Sequence, residues 1–318
     1  MRILVTGGAG FIGSHIVDEL VKLNHQVSIV DNLSTGSEEN LNKNARFYKC
    51  DITNKETLRL VFELEKPEIV IHHAAQIDVQ TSLKKAAFDA KVNIRGTINV
   101  LECCKEVKTR KIIYPSSAAV YGDPKYLPVD EEHPINPISF YGISKHTPEH
   151  YIKVYSELYG IKYTIFRYSN VYGERQGAKG EGGVVSIFID KFLAKEVPSI
   201  FGDGEQTRDF IYVKDVAKAN LLALDKGDNE ILNISTNTQV SVNKLFEIMR
   251  EIFVVKIVPV YKEVRDGDIE HSYLDNTRAK EIINLKNEYE LQEGLEETVK
   301  YYMNLNSVAD EVAVAKNI

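Results

Sequence analysis

A chain of 318 residues with 43% hydrophobic and 27% charged residues has apolar material for a sizeable globular core, and its length suits one large α/β unit with a smaller appendage. Its net charge of −7 argues against a nucleic-acid surface, and no apolar run reaches the roughly 20 residues of a membrane span. Met1-Arg2 leads straight into a strand and not into a signal peptide, so a cytoplasmic protein with no membrane partner is expected.

The chain begins with an apolar strand, Ile3-Leu4-Val5, that enters Thr6-Gly7-Gly8-Ala9-Gly10-Phe11-Ile12-Gly13. The spacing is G-x-x-G-x-x-G, followed by an amphipathic helix over 11–23 and a second strand, 27–30, ending in Asp31. Gly7 can turn the backbone sharply, Gly10 lets an anion reach the helix N-terminus, and Gly13 permits close packing of helix on strand. An acid at Asp31 is placed to accept from an adenosine ribose and to repel a 2′-phosphate, which favours NAD over NADP.

A polar loop (32–45), a strand at 46–50 and a helix at 54–65 follow. Asp51-Ile52 fits either a contact to an adenine or, through Asp51 or Thr53, a helix cap. Ile69–His72 reads as a buried strand, with the small residues Ala74 and Ala75 beyond it. His72 and His73 are adjacent in a strand and point to opposite faces, and the three cysteines show no ligand spacing, so no metal is expected. A long amphipathic helical segment (83–107) contains Asn93, and strand 112–114 runs into Pro115–Gly122, which includes Ser117. This alternation predicts a doubly wound parallel sheet, a Rossmann fold, with ligands beyond the carboxyl ends of its strands. The predicted division is a dinucleotide-binding domain over 1–170, with later segments returning to it, a smaller α/β substrate domain over 171–303 and a mobile tail, 304–318.

Tyr141 and Lys145 stand at i and i+4 in a segment that becomes helical to about 158, which puts both on one face. An ammonium beside a phenol favours phenolate and so a general base, although the pair alone is a weak signal. Past residue 170 come short strands (198–201, 210–213, 231–234) and helices (184–195, 214–225, 241–253, 277–285, 290–303). The glycine-rich loop 173–183 suits either closure over a ligand or a solvated linker. Arg208 and Arg265 have the guanidinium forks that suit a diphosphate, yet on residues alone each reads more readily as a surface charge.

TGGAGFIGS, the HHAA strand end, SSAAVYG, YGISK and FRYSNVYG together resemble the extended short-chain dehydrogenase/reductase family, in particular its NAD-dependent nucleotide-sugar epimerases, over roughly residues 1–303. The resemblance implies Tyr141 as catalytic base, Lys145 on the nicotinamide ribose, and Ser117 on the sugar O4. It also implies NAD held by Gly7, Gly10, Phe11, Ile12, Gly13, Asp31, Asn32, Asp51, Ile52, Ala74, Ala75, Gln76, Asn93, Tyr141, Lys145 and Tyr168. Arg208 and Arg265 fall where such enzymes grip a UDP pyrophosphate, with Asn170 on the sugar-proximal phosphate and Asp268 on the uridine ribose. Ser272 falls where room at sugar C2 is set, and its small side chain suggests space for an N-acetyl group.

The implied reaction is 4-epimerisation of a UDP-sugar, UDP-glucose with UDP-galactose, by a homodimer paired through 83–107 and 140–158. Related dehydratases and decarboxylases carry carboxylates where this chain has Ala118 and Ala119, and alanine transfers no proton. A UDP-glucuronate 4-epimerase stays open, and a non-catalytic NAD-sensing scaffold has no need of Ser117, Tyr141 and Lys145 together. Pro148 and Gln80 depart from the pattern; Pro148 kinks the helix or marks its first turn.

Overall fold

The computed structural model describes residues 1–177, 183–264 and 269–315, the stretch from 307 as backbone alone. The first expected strand, helix and strand form as β1 (Arg2–Thr6), α1 (Phe11–Lys22) and β2 (Gln26–Asp31), followed by β3 (Arg46–Lys49), α2 (Lys55–Glu65) and β4 (Ile69–His72). The amphipathic stretch after β4 does not run as one helix. It divides into α3 (Val79–Lys84), α4 (Ala86–Ala90), a π turn over Lys91–Arg95 and α5 (Gly96–Val107). Lys85 leaves helical geometry at φ −139°, ψ 57°, which separates α3 from α4.

Next come β5 (Lys111–Ser117), α6 (Phe140–Tyr159), β6 (Lys162–Tyr168), β7 (Asn170–Tyr172) and α7 (Val184–Leu193). Ser139 caps α6 by accepting from Gly142 N, and Gly160 ends it at φ +71°. Pro148 is buried in the middle of α6, so it marks no first turn. The remaining elements are β8 (Ser199–Phe201), β9 (Thr207–Arg208), β10 (Phe210–Tyr212), α8 (Val213–Leu222), β11 (Glu230–Ile234), β12 (Val240–Ser241), α9 (Val242–Ile252), β13 (Val260–Lys262), α10 (Thr277–Ile283) and α11 (Leu291–Ala315). The backbone of α11 thus stays helical past residue 303, where the sequence pattern ends its last helix and begins a tail.

Seven strands form one sheet in the order β11-β6-β5-β4-β1-β2-β3, every pair parallel. Parallel strands covered on both faces read as continuous apolar runs, and Leu4, Val5, Val70, Ile71, Ile112 and Ile113 are all buried. One face packs against α1, α8 and α10 through Ile16, Leu20, Val216 and Ile283. The other packs against α2, α5 and α6 through Leu58, Phe62, Leu101 and Ile152. A third core, containing Phe188, Phe246, Phe210 and Leu295, joins α7, α9, β10 and α11. There the strands are two or three residues long and pair as β10 with β7, β9 with β12 and β8 with β13. β11 and α8 belong to the large sheet and its helical cover although they follow residue 170.

Candidate functional site

The loop from β1 to α1 is an anion cradle. Gly7 has φ +70°, and a Cβ there would lie 2.6 Å from Ala74 N; one on Gly13 would lie 2.1 Å from the Gly7 carbonyl oxygen. Only glycine fits both positions, because backbone on the far side cannot yield. Gly10 is the N-cap of α1 and brings no side-chain cap, so the positive end of the helix faces the loop bare.

Beside this cradle is a cavity of about 130 Å³. Gly7, Gly10, Phe11, Ile12 and Gly13 line one end, Asp31 and Asn32 the middle, and Asp51 and Ile52 the other end, with Ala74 and Ala75 as one wall. Asp31 accepts from Ala9 N at 3.0 Å and Leu33 N at 2.8 Å. Burial raises its pKa against the pull of those bonds. Asn54, and neither Asp51 nor Thr53, caps α2. Asp51 instead takes Asn32 Nδ2 at 3.1 Å and Thr53 N at 2.7 Å. Against the upward push of partial burial, those bonds and the Lys91 charge hold it below the ordinary carboxylate range.

Asn93 and Gln76 are placed behind this wall and line neither cavity. Asn93 takes Gln76 N at 2.7 Å, and its amide donates to Gln76 O at 2.8 Å and Ser144 Oγ at 2.9 Å. Ser144 Oγ in turn donates to Tyr141 O at 3.1 Å. The π turn therefore ties the chain after β4 to the first turns of α6, which is where π turns are commonly found, at functional sites.

A second cavity of about 460 Å³ shares Phe11, Ile12, His73, Ala75 and Ile77 with the first, so the two adjoin. Ser117, Tyr141 and Lys145 all line it. Ser117 ends β5, and its Oγ accepts from Ala119 N at 3.2 Å. Tyr141 is in the first turn of α6, held by its N–H to Ser82 Oγ at 3.1 Å. Lys145 is one turn on and buried, its Nζ 5.0 Å from the Tyr114 ring centroid. Burial lowers its pKa to about 8, while the charges of Asp89 and Glu149 draw it up.

Tyr168 lies at 29° to the His73 ring with 6.0 Å between centroids, and its hydroxyl is 3.3 Å from His73 Nε2. His72 turns the other way, bonding Thr6 Oγ1 at 2.6 Å and Thr97 Oγ1 at 3.0 Å. Burial, then the Lys145 charge, pushes both histidines down to about 3.

Asn170 on β7 and Arg208 on β9 line the far part of the larger cavity. The Asp209 carbonyl accepts from both Asn170 N at 2.9 Å and Asn170 Nδ2 at 3.2 Å, while Arg208 Nη1 donates to Thr207 O at 2.7 Å. Asp209 is itself buried and accepts from Ser169 Oγ, Thr236 N and Asn237 N. Arg265 and Asp268, and residues 178–182 of the glycine loop, lie outside the described residues. Ser272 donates its N–H to Thr207 O at 3.2 Å, beside Arg208, and is not on the cavity lining. Sequence reasoning missed Phe201, Gln206 and Gln176, which also line this cavity. They sit on strands and loops too short to carry a periodic signal.

A doubly wound sheet, a glycine cradle with an acid at the end of β2, and a Ser/Tyr/Lys set beside it define a dinucleotide-dependent enzyme. Residues 3–235 match the NAD dependent epimerase/dehydratase family. A Methanocaldococcus jannaschii protein provisionally named a UDP-glucose 4-epimerase is 52% identical over 305 residues, covering 96% of this chain and 99% of that one. The structure of UDP-glucose 4-epimerase from Thermotoga maritima with UDP-glucose is 47% identical, with TM-score 0.94 over 96% of this chain and 99% of that one. UDP-N-acetylglucosamine 4-epimerase from Methanobrevibacter ruminantium, in complex with UDP-N-acetylmuramic acid, is 37% identical, with TM-score 0.91 over 96% and 98%. The chain belongs to the NAD dependent epimerase/dehydratase family, an extended short-chain dehydrogenase/reductase, and its cofactor is NAD.

Proposed function

We propose that the protein is an NAD-dependent 4-epimerase that interconverts UDP-glucose and UDP-galactose. The observation that carries this reading is the convergence of Ser117, Tyr141 and Lys145 on a cavity that adjoins the one beside the glycine cradle. The glycine cradle, the bare α1 N-terminus and Asp31 fit the diphosphate and adenosine ribose of NAD. NAD bound there supplies the hydride acceptor and donor for sugar C4, so net redox change is zero.

The chain's own groups do the rest. Tyr141 takes the O4 proton and later returns it, the Lys145 ammonium favours its phenolate and holds the nicotinamide ribose, and Ser117 orients O4. Asn170 and Arg208 grip the diphosphate while the 4-keto sugar turns about its phosphate linkage to present its other face. Arg265 and Asp268 complete the nucleotide grip in this reading. The N-acetylated pair is a second substrate class, supported by the acetylated sugar named with the Methanobrevibacter relative; Ser272, which stands off the cavity lining, adds no support.

The protein acts as a cytoplasmic homodimer. Leu83 on α3, Phe88 on α4 and Ile143, Val154 and Leu158 on α6 are exposed apolar side chains, the kind of surface a second copy covers. No described helix is long and apolar enough to cross a membrane. Purified protein given UDP-galactose and no reductant is expected to yield UDP-glucose. NAD binding with the sugar left unchanged would overturn the substrate assignment. Sizing in solution checks the dimer.

A further inference from the structure

Behind the catalytic residues lies a buried ion pair that the reaction above does not use. Glu149 stands on α6 one turn after Lys145 and two after Tyr141, and is 1% exposed. Arg167 grips it with two prongs, Nε to Oε1 at 3.1 Å and Nη2 to Oε2 at 2.7 Å, and Ser116 Oγ donates to Oε1 at 2.5 Å. Arg167 is buried too, opposite Ser116 in the β5–β6 register. Its Nη1 donates to the Tyr121 hydroxyl at 3.1 Å, and its guanidinium carbon is 4.9 Å from the Tyr121 ring centroid.

A buried pair of this kind is weak evidence for stability, because apolar residues of similar volume serve the core as well. Its position says more. Each anchor adjoins a residue of the larger cavity: Ser116 precedes Ser117, Arg167 precedes Tyr168, and Glu149 follows Lys145 by one turn. The groups facing Lys145 are the Tyr114 ring, the neutral His72 and His73, Tyr141, and the carboxylates of Asp89 and Glu149. Those facing Glu149 are Arg167, Ser116, the Tyr114 and Tyr121 phenols, and His146, whose Nε2 is 3.9 Å from Oε2.

We propose that Glu149 is a positioning residue of this active site: clamped by Arg167 and Ser116, it fixes the α6 turn carrying Lys145 against β5 and β6 and supplies negative charge to the buried ammonium. This rests on the roles given above to Tyr141 and Lys145. Without that charge, the buried Arg167 guanidinium loses its partner, and Lys145, with one carboxylate fewer facing it, gives up its proton at lower pH. Without Arg167 the carboxylate acts on Lys145 alone, and the proton is held to higher pH.

The test compares Glu149→Gln, Arg167→Gln and the double variant, reading the alkaline limb of kcat for UDP-galactose and, separately, the pH dependence of NAD affinity. Glu149→Gln is expected to move both downward by about one pH unit, Arg167→Gln to move both upward, and the double variant to return close to wild type. A merely structural pair lowers activity in both single variants and leaves the limb where it was. Limbs that do not move, or that move the same way in both, overturn the proposal. If Glu149→Gln fails to fold, the upward shift in Arg167→Gln decides. A wild-type protein without turnover would fell the proposed function, and the NAD titration would still decide the role of Glu149.

Discussion

The two adjoining cavities are built in opposite ways. The smaller one is assembled almost wholly from residues 7–75, at the carboxyl ends of β1, β2, β3 and β4 and the loops just beyond them, on a sheet whose central strands are largely buried. The far part of the larger one gathers Asn170, Phe201, Gln206 and Arg208 from strands of two or three residues and the loops between them. A long parallel sheet fixes the ends of its strands cooperatively, whereas short paired strands are held by individual contacts such as the Asp209 hub. A single substitution in the first region is therefore expected to cost fold and cofactor together. In the second it is expected to cost substrate alone.

The largest effect should come from Gly13→Ala, whose Cβ would meet the Gly7 carbonyl oxygen at 2.1 Å. Overpacking against backbone costs about 1–3 kcal/mol, so the melting temperature should fall, and NAD binding should be lost with it. Calorimetry and NAD titration check both. Tyr141→Phe removes the phenolic hydroxyl from the lining of the larger cavity and leaves the packing alone. It should lower kcat by about 10²–10⁴-fold with melting temperature unchanged. Arg208→Ala should raise KM for UDP-galactose by about 10-fold or more, the scale of a lost charge-assisted hydrogen bond, without touching NAD affinity. A matching loss of NAD affinity in Arg208→Ala would erase the distinction between the regions.

These contrasts were unequally legible in the sequence. The cradle, α1 and Asp31 lie within 31 residues, so turn chemistry, periodicity and the acid could be read together. Tyr141 and Lys145 were visible because one helix carries both. The break of 83–107 at Lys85 and the π turn was not, because Asn93 is secured by Gln76 and Ser144, 17 and 51 residues away. The Glu149–Arg167 pair spans a helix and a strand, and Phe201 and Gln206 reach the cavity only once β8 and β9 have paired with β13 and β12. Asp51 shows the same limit on a small scale, since the neighbouring Asn54 takes the capping role.

A pH effect concerns the seam between the regions. His72 and His73 titrate at about 3 when folded against 6.5 for the free side chain, so the unfolded chain binds more protons between those values. Stability is thus present in full above pH 6.5 and is lost as pH falls toward 3. His73→Leu should make that loss shallower in melting curves taken from pH 7 to pH 4, and an unchanged slope would show that the His73 ring is not held neutral.

The central claim is that the reaction at sugar C4 begins and ends on the same hydrogen. UDP-galactose deuterated at C4, converted by the protein in ordinary water, should give UDP-glucose that retains its deuterium at C4, with no wash-out as turnover proceeds. Replacement of that deuterium by solvent hydrogen would mean proton abstraction at carbon, and would contradict the account.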